Sequence, residues 1–390
     1  MAQTLACGID IGTHHIKVMV CDRVEENGRI TPKIVATASS ESRGLRHGYV
    51  VNTAEVTHGL EEAFADIAKQ TGIKIKKAFL GVGGVGVSSY SHSASVVVSR
   101  ADGEVSDLDV ERVLKICEDS IPAQYSINKK ILHTIPFGFR IDGRQVMSKP
   151  QGMKGQKLEA RVLFIQCVEQ QLNELVQAVN DAGVDVEDVM AAPLAASLVA
   201  LTKAQKHAGC VLTNIGAETV SLAVFDNSIP ISVDVFPIGG MDITHDIALG
   251  LRIPIEEAET IKKGKEHTFS KRKLDEIIAA RLSDIFDLIE NHLKKIGKSG
   301  LLPAGIILTG GTTGIASIED VARTALRLPA RIIKTLNIKD EKSPVRDSYW
   351  SIAYGLCVFG INQESSEAFG PRILNPIRHG FIQWIKQFLP

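Results

Sequence analysis

The residues of this chain that are best suited to chemistry stand near its start. Asp10, Gly12 and Thr13 lie between two apolar runs whose alternating pattern predicts two strands joined by a tight turn. Lys17 follows in the second run. A turn glycine lets the backbone approach an anion, and successive N–H groups in such a turn form a concave site for phosphate. Asp10 repels phosphate, so its expected partner is magnesium or the water around that ion. A plain hairpin with a solvated aspartate fits the same stretch.

A second stretch, near the middle of the chain, repeats this arrangement. Residues 209–225 again run from a predicted strand through a polar turn into another strand, and the turn contains Asn214 and Gly216. Ala217 and Glu218 complete it. Two copies of one device indicate an internal duplication, because the repeat is a rarer coincidence than either copy alone.

A third glycine turn follows a predicted buried strand. Residues 305–309 enter the turn Gly310-Gly311-Thr312, and the pair Gly239-Gly240 precedes a predicted helix. Strands, glycine turns and amphipathic helices therefore alternate along the chain, which is an α/β pattern.

Bulk properties exclude several classes of protein. The 390 residues exceed what one hydrophobic core usually holds, so two or more domains are expected. Acidic and basic residues nearly cancel, 45 against 44, which argues against a nucleic-acid binder driven by charge. The six cysteines are scattered without C-x-x-C spacing, which favours buried reduced thiols over a metal or disulfide framework. No apolar run approaches the roughly 20 residues that cross a bilayer, and nothing at the N-terminus suggests export.

Three motifs, in their order and spacing, resemble those of the actin-like ATPase superfamily. They are Gly-Ile-Asp-Ile-Gly-Thr at 8–13, Asn-Ile-Gly-Ala-Glu-Thr at 214–219 and Leu-Thr-Gly-Gly-Thr at 308–312. In that superfamily two duplicated α/β domains hold ATP and magnesium in a cleft. The first two turns bind the phosphates, and the third contacts the adenosine. The resemblance implies a ribonuclease H-like duplicated, actin-like two-domain ATPase fold.

Within the superfamily, the chain resembles the FtsA family, which ties FtsZ filaments to the membrane in bacterial cell division. Residues 99–105, 110–114, 131–136 and 152–160 look like that family's inserted α+β subdomain, and residues 258–262 also fit. The resemblance spans nearly the whole chain. The parts that it implies are a first actin-like domain (1–84, 163–195 and 355–362), an inserted subdomain (85–162), a second actin-like domain (196–231 and 303–354) and a small subdomain (232–302).

The resemblance also implies ATP and Mg²⁺ as cofactors, with their site on the glycine turns and a neighbouring helix. Asp10 is the implied metal ligand. Asp10 and Asn214 are the candidates for a catalytic role, although neither is assigned one. The implied nucleotide contacts are Gly12, Thr13, Lys17, Gly216, Ala217, Glu218, Gly239, Gly240, Glu259, Lys262, Gly310, Gly311 and Thr312.

The second phosphate turn departs from the superfamily's pattern. Active members usually carry Asp-x-Gly-Gly-Gly-Thr, where this chain has Asn214, Ala217 and Glu218. Asn214 lacks the negative charge of aspartate, and Glu218 adds one that faces the phosphates or turns away from them. Like charges repel strongly in a poorly hydrated cleft, and losing glycine restricts the backbone. We therefore expect ATP to bind and to be hydrolysed slowly or not at all. His14 and His15 are expected to be solvent-facing turn residues rather than phosphate contacts.

The end of the chain is typical of a membrane anchor. A polar linker over 363–376, broken by Gly370 and Pro371, precedes residues 377–390, where apolar and basic residues segregate at helical spacing. Such a helix lies in the plane of a membrane. A helix that docks on the protein's own core is the alternative, and the linker favours the membrane. The apolar residues are Ile377, Phe381, Trp384, Ile385, Phe388 and Leu389.

The FtsA resemblance implies partners and a location. In that family the subdomain around the long helix, predicted here over Lys271–Lys295, receives the FtsZ C-terminal peptide, and Arg281 matches a basic position used there. Lys294 and Lys295 lie on the same helix, and all three could equally form a solvated basic face. The expected partners are FtsZ, further copies of this chain in filaments, membrane lipid and other division proteins, with no nucleic acid. The expected location is peripheral, on the cytoplasmic face of the inner membrane at the division septum.

Two other functions fit the same fold. A sugar or metabolite kinase needs a catalytic base presented to an acceptor hydroxyl, and Asn214 is a poor start for phosphotransfer. A pilus-assembly scaffold would not be expected to end in a free anchor helix. The leading prediction is therefore an ATP-binding filament protein that tethers FtsZ to the membrane.

Overall fold

The computed structural model describes residues 5–26, 29–146, 149–266, 268–333 and 347–367. Its strands are β1 (Leu5–Ile11), β2 (His15–Glu26), β3 (Arg29–Glu41), β4 (Leu45–Arg46), β5 (Tyr49–Val50), β6 (Lys77–Val82), β7 (Ser88–Val97), β8 (Lys129–Ile141), β9 (Arg144–Val146), β10 (Lys157–Val168), β11 (Asp185–Ala191), β12 (Cys210–Ile215), β13 (Val220–Asp226), β14 (Ile229–Phe236), β15 (Gly305–Thr309) and β16 (Ala330–Ile332). Its helices are α1 (Thr53–Thr71), α2 (Asp107–Asp119), α3 (Ala123–Ser126), α4 (Glu169–Asp181), α5 (Ala192–Ala200), α6 (Lys203–Ala208), α7 (Gly240–Leu251), α8 (Ile255–Lys262), α9 (Lys271–Lys295), α10 (Ile318–Leu326) and α11 (Ser351–Glu367).

The two halves of the chain build sheets of the same topology. The first sheet has the strand order β11-β6-β1-β2-β3, and the second begins β16-β15-β12-β13-β14. In the first sheet, β1, β2 and β3 pair antiparallel in chain order, and β6 and β11 run parallel to β1 on its other side. In the second sheet, β12, β13 and β14 pair antiparallel in the same way, and β15 and β16 run parallel to β12. Each strand of one half therefore has its counterpart in the other, and the predicted duplication is confirmed at the level of the whole sheet.

Local capping explains where several helices begin. The Ser106 hydroxyl accepts from the Asp109 N–H at the start of α2, and the Asp109 carboxylate accepts from the Ser106 N–H, which together form a capping box. Asn52 caps α1, and its side chain accepts from the Glu55 N–H. Asparagine is among the preferred N-cap residues, and the helix begins at the next residue, Thr53.

The inserted subdomain extends the sheet of the second half. β14 is followed in that sheet by β7, β10, β8 and β9, and the register pair Asp234–Ser88 joins the two parts. His292 on α9 secures the junction, because its Nε2 lies 2.8 Å from Ser232 Oγ and its Nδ1 lies 3.3 Å from Asp234 Oδ2. The boundary expected at residue 162 falls inside β10, since one continuous strand serves both the subdomain and the first half.

Helix α11 packs on the first half along its length and lies against α5. A Cβ on Gly8 would overlap the carbonyl oxygen of Ala353, and a Cβ on Gly355 would overlap that of Ala195. The boundary expected between residues 354 and 355 therefore falls inside one helix. The linker expected from residue 363 also begins too early, because α11 continues to Glu367. Serine, glutamate and glutamine tolerate a helix, and the first strong breakers are Gly370 and Pro371.

The predicted anchor lies outside the residues that the structure describes. This holds for the rest of the linker and for Ile377, Phe381, Trp384, Ile385, Phe388 and Leu389. Among the described helices, none combines the length and the apolar character needed to cross a bilayer.

Candidate functional site

The first and second turns have the same geometry. The Gly12 N–H donates to the His15 carbonyl at 3.1 Å, and the Gly216 N–H donates to the Thr219 carbonyl at 2.9 Å. A Cβ on Gly12 would lie 3.0 Å from the His15 oxygen, and one on Gly216 would lie 3.1 Å from the Thr219 oxygen. Such contacts are tighter than nine in ten real Cβ contacts, so glycine allows the same close approach in both turns.

Both turns present backbone N–H groups to whatever binds there. Within the described parts of the chain, the N–H groups of Thr13 and His14 have no acceptor, and neither do those of Ala217 and Glu218. Neighbouring N–H groups that point out of a turn form an anion site. This pairing of unused donors, one pair on each half, fits the phosphates of a nucleotide.

Lys17 stands beneath the first turn in a buried ion pair. Its Nζ lies 2.6 Å from Asp10 Oδ2, donates to the Tyr349 carbonyl at 3.1 Å and lies 4.2 Å from the centre of the Tyr349 ring. The side chains of Lys17 and Asp10 are 11% and 8% exposed, so water screens their charges little. A carboxylate and an ammonium group, the kinds of group that hold Mg²⁺ and phosphate, are therefore paired beside the first turn.

Glu218 reaches across to the first half. The His47 N–H donates to Glu218 Oε2 at 2.6 Å, and His47 Nδ1 lies 3.1 Å from the Glu218 carbonyl oxygen. The carboxylate is thus held by the first half. The φ angles of Ala217 and Glu218 are not positive, so the expected restriction of the backbone brings no strain to this turn.

A short segment links the two turns. The Ser42 N–H donates to the His14 carbonyl at 3.0 Å, and His47, five residues later, contacts Glu218. Five residues span at most about 17 Å. The first and second turns are therefore connected through one short segment of the first half.

The second turn, the start of α7 and the third turn form one unit. The N–H groups of Gly240 and Met241 donate to the carbonyls of Gly216 and Ala217 at 2.9 and 2.7 Å, and Thr312 Oγ1 donates to Gly216. These bonds use N–H groups at the start of α7, so this helix supports the second turn.

Three glycines allow the unit to pack tightly, and a fourth leaves space. A Cβ on Gly239 would overlap the Ala217 carbonyl, one on Gly240 would overlap Thr312, and one on Gly310 would overlap Asn214. Gly311 has open space beside it. The third turn thus combines a fixed backbone with room for a ligand.

Glu259 and Lys262 form a network beside this unit. Lys262 Nζ lies 2.6 Å from Glu259 Oε2 and donates to the Gly240 carbonyl at 2.9 Å, while Thr244 Oγ1 donates to Glu259. Burial lowers the pKa of Lys262, which Glu259 partly offsets. Desolvation opposes ionisation of Glu259, but hydrogen bonds from Lys262 and Thr244 outweigh it and lower its pKa. The two side chains therefore form an ion pair that is bonded to the start of α7 through Gly240 and Thr244.

The two halves also meet electrostatically at His15. Burial lowers the pKa of His15, and the charges of Lys17 on the first half and Lys263 on the second lower it further. The expected solvent-facing role fits His14, which is exposed, but not His15, whose ring lies edge-on to Tyr349.

A preformed metal cage is not present in the part of the chain that the structure describes, where no three acidic, His or Cys side chains cluster. Magnesium bound with a nucleotide usually keeps several waters and takes one or two protein carboxylates. Asp10, next to the first turn, meets that need.

The three basic candidates on α9 do not share one position. Arg281 donates to both oxygens of Asp246, at 2.6 and 3.0 Å, and also pairs with Asp284. Lys294 lies 3.6 Å from Glu290, and Lys295 is exposed beside it. Because a helix rises 1.5 Å per residue, Arg281 lies about 20 Å from the two lysines. They therefore belong to separate surfaces.

Sequence reasoning missed three residues of this cleft, namely Ser42, His47 and Tyr349. Ser42 Oγ is enclosed and has no partner among the described residues. His47 and Tyr349 reach the site through contacts with residues 171 and 332 positions away. A signal was present only for His47, which precedes Gly48 in a polar turn.

Comparison with known proteins places this chain in a family. The model of the cell division protein FtsA matches residues 211–355, and the model of the SHS2 domain inserted in FtsA matches residues 84–166. FtsA of Pseudomonas aeruginosa is 30% identical over 382 residues, which cover 92% of this chain and 89% of that protein. The chain belongs to the FtsA family. FtsA of Bacillus subtilis is also 30% identical, over 91% of this chain and 83% of its own, and FtsA of Escherichia coli K12 is 26% identical over 91% and 90%.

Solved structures confirm that this FtsA-family chain has an actin-like fold. A PilM-PilN type IV pilus biogenesis complex gives a TM-score of 0.66 at 17% identity, covering 91% of this chain and 98% of that one. MreB5 of Spiroplasma citri bound to AMPPNP gives 0.54 at 14% identity, covering 94% and 99%. At these identities the likeness shows the fold alone. The family models support the predicted insert, since the SHS2 match spans β7 to β10.

Proposed function

We propose that this FtsA-family protein binds ATP with Mg²⁺, assembles into filaments on the cytoplasmic face of the inner membrane, and tethers FtsZ there at the division septum. The observation that carries the proposal is the 30% identity to FtsA proteins over nine tenths of the chain. The duplicated turns with their unused N–H groups support the nucleotide part.

Each element of the cleft has a distinct role toward the nucleotide. The N–H pairs of the two turns bind phosphate oxygens, and Lys17 adds positive charge at the first turn. Asp10 holds Mg²⁺ through its carboxylate or through bound water. Gly310, Gly311 and Thr312, with the Glu259–Lys262 network, contact the adenosine. Magnesium supplies charge neutralisation for the phosphates when it is bound.

Hydrolysis of ATP is slow or absent. The second turn carries Asn214 where a carboxylate would orient water or magnesium, and an amide is a poor proton acceptor. Glu218 does not replace that carboxylate, because its Oε2 is bound to the His47 N–H. ATP then acts as a ligand that favours assembly rather than as a substrate that is turned over.

Assembly and membrane attachment reinforce each other. Residues 377–390 form the proposed anchor, and each large apolar side chain contributes at most roughly 1.5–3 kcal/mol on burial, against the cost of ordering a short helix. A single anchor therefore binds weakly and reversibly. A filament that presents many anchors gains avidity.

The proposed FtsZ site lies around Arg281, near the middle of α9. Arg281 and Asp246 form a half-exposed pair there, and Leu249, one turn further along α7, is 78% exposed. A charged pair beside an exposed leucine suits a peptide that carries both charged and apolar side chains. Lys294 and Lys295, about 20 Å away, are then ordinary solvated residues.

Fluorescence anisotropy with a labelled FtsZ C-terminal peptide tests this site. Arg281→Gln should weaken binding about tenfold, because a charge-assisted contact contributes roughly 1.5 kcal/mol. Leu249→Ser should act in the same direction. The double variant Lys294→Gln/Lys295→Gln is the matched control and should bind like the wild type. If only that double variant loses affinity, the assignment to Arg281 is wrong; if the wild type does not bind the peptide, the FtsZ role itself fails.

A further inference from the structure

The contact between Glu218 and His47 is a hydrogen-bonded link across the cleft between the two halves. His47, on the first half, contacts both the side chain and the backbone of Glu218. The His47 N–H donates to the Glu218 carboxylate at 2.6 Å, and His47 Nδ1 lies 3.1 Å from the Glu218 carbonyl oxygen. A two-point contact fixes orientation as well as distance. Both residues are partly buried, which strengthens the interaction relative to one in water.

The first half holds His47 firmly. The buried Gln171 side chain donates to the carbonyls of Gly48 and Gly83 at 2.8 and 3.0 Å, and the Val85 N–H donates to the His47 carbonyl at 3.1 Å. His47 has a φ of 50°, a left-handed conformation that a non-glycine residue keeps only when its surroundings impose it. His47 therefore moves with the first half.

The second half holds Glu218 equally firmly. Its turn is bonded to the start of α7 through Gly216 and Ala217 and to the third turn through Thr312. Because each partner is fixed to its own half, opening of the cleft must break this contact. The contact then has two discrete states, made and broken, that follow the separation of the halves.

We propose that Glu218 and His47 form a latch that holds the nucleotide cleft closed and thereby limits the rates at which a nucleotide enters and leaves. This proposal rests on the proposed nucleotide site and adds a gating residue to it. The group that holds the cleft closed is the carboxylate of Glu218. The latch explains how the second turn tolerates a negative charge: the charge is directed to a backbone N–H on the opposite half.

Stopped-flow kinetics with mant-ATP test the latch. In Glu218→Ala both the association and the dissociation rate should rise about tenfold, which corresponds to about 1.4 kcal/mol, while the dissociation constant changes much less. Glu218→Gln keeps an oxygen that accepts from the His47 N–H and should restore most of the wild-type rates. Asp275→Ala, an exposed carboxylate of the same half, is the matched control. Slower dissociation in Glu218→Ala would instead mean that the carboxylate repels the phosphates, and unchanged rates would mean that no latch exists; either result overturns the proposal.

A distance measurement separates failure of the latch from failure of the nucleotide site. The described native cysteines are all buried, so spin labels can be directed to Lys74→Cys on the first half and Asp275→Cys on the second. Pulsed electron spin resonance should show a broader distribution, extended to longer distances, when Glu218→Ala is added. If the wild type does not bind mant-ATP but this change occurs, the nucleotide proposal is wrong and the latch stands. An identical distribution in both proteins contradicts the latch.

Discussion

Lys17 is the positively charged side chain of the first turn's proposed phosphate site. Its charge is already neutralised by Asp10 at 2.6 Å in a site that excludes most water. In the proposed function, a nucleotide with magnesium would place its phosphate beside Lys17 and its metal beside Asp10. The pair therefore keeps both ligand groups in place until a nucleotide binds.

Replacing Lys17 should separate binding from stability. Lys17→Met should lower ATP affinity by about tenfold to a hundredfold and should also destabilise the protein by about 3–5 kcal/mol, because Asp10 is left buried without its partner. In the double variant Asp10→Asn/Lys17→Met the stability should largely return, but the ATP affinity should not. Isothermal titration calorimetry and the unfolding midpoint measure the two effects. Lys74→Met, an exposed lysine of the same domain, is the control, and equal ATP affinity in wild type and Lys17→Met would contradict this role.

At the residue scale, the sequence predicts the turns better than their contacts. Glycine at positions 12 and 216 makes its close contact with a residue only three positions further along the same strand-turn-strand stretch, so the local sequence is enough to predict it. The partner of Glu218 could not be predicted, because His47 is 171 residues away and the contact depends on how the two halves dock. The same holds for Tyr349 over Lys17.

At the scale of elements, helix α2 depends on a buried carboxylate at its start. Desolvation raises the cost of ionising Asp109, but hydrogen bonds from Ser106 and Ser99 outweigh it and lower the pKa of Asp109 to about 2. The pKa is depressed on folding, so the stabilisation is present above the ordinary value near 4 and disappears as the pH falls towards 2. The acid form cannot accept all three bonds.

The pH dependence of stability tests this cap. Asp109→Asn should lower the unfolding midpoint at pH 6, and its difference from the wild type should shrink as the pH falls from 4 to 2.5. Differential scanning calorimetry at a series of pH values measures this. Glu111→Gln, an exposed carboxylate on the same helix, should show no such trend. A difference that stays constant over this range would mean that the charge of Asp109 does not stabilise the cap.

At this scale, a helix can be predicted when its own sequence carries the pattern that marks its bounds. The bounds of α9 were predicted correctly because its apolar residues recur every three or four positions and one face is buried. The role of α11 could not be predicted in the same way. Residues 352–361 of this helix are almost all apolar, so no periodic pattern marks where one domain ends.

At the scale of the whole molecule, the duplicated fold provides a cleft, an inserted subdomain and a helical surface on one chain. Predicting the matching sheets required only recognition of the repeated turns. The continuous sheet that joins β14 to β7 was not predicted, because the strands come from distant parts of the chain. This continuity links the inserted subdomain to the half that carries the FtsZ-site candidate. The proposed nucleotide site and the proposed FtsZ site therefore lie on one connected framework.

Liposome co-sedimentation tests the central claim most directly. The full chain and a variant that ends at Pro376 are compared, each with and without ATP, on vesicles containing anionic lipid. The account predicts that only the full chain pellets and that ATP increases the bound fraction, because filaments multiply a weak anchor. If both proteins remain in the supernatant with ATP present, the chain is not a membrane-bound filament protein.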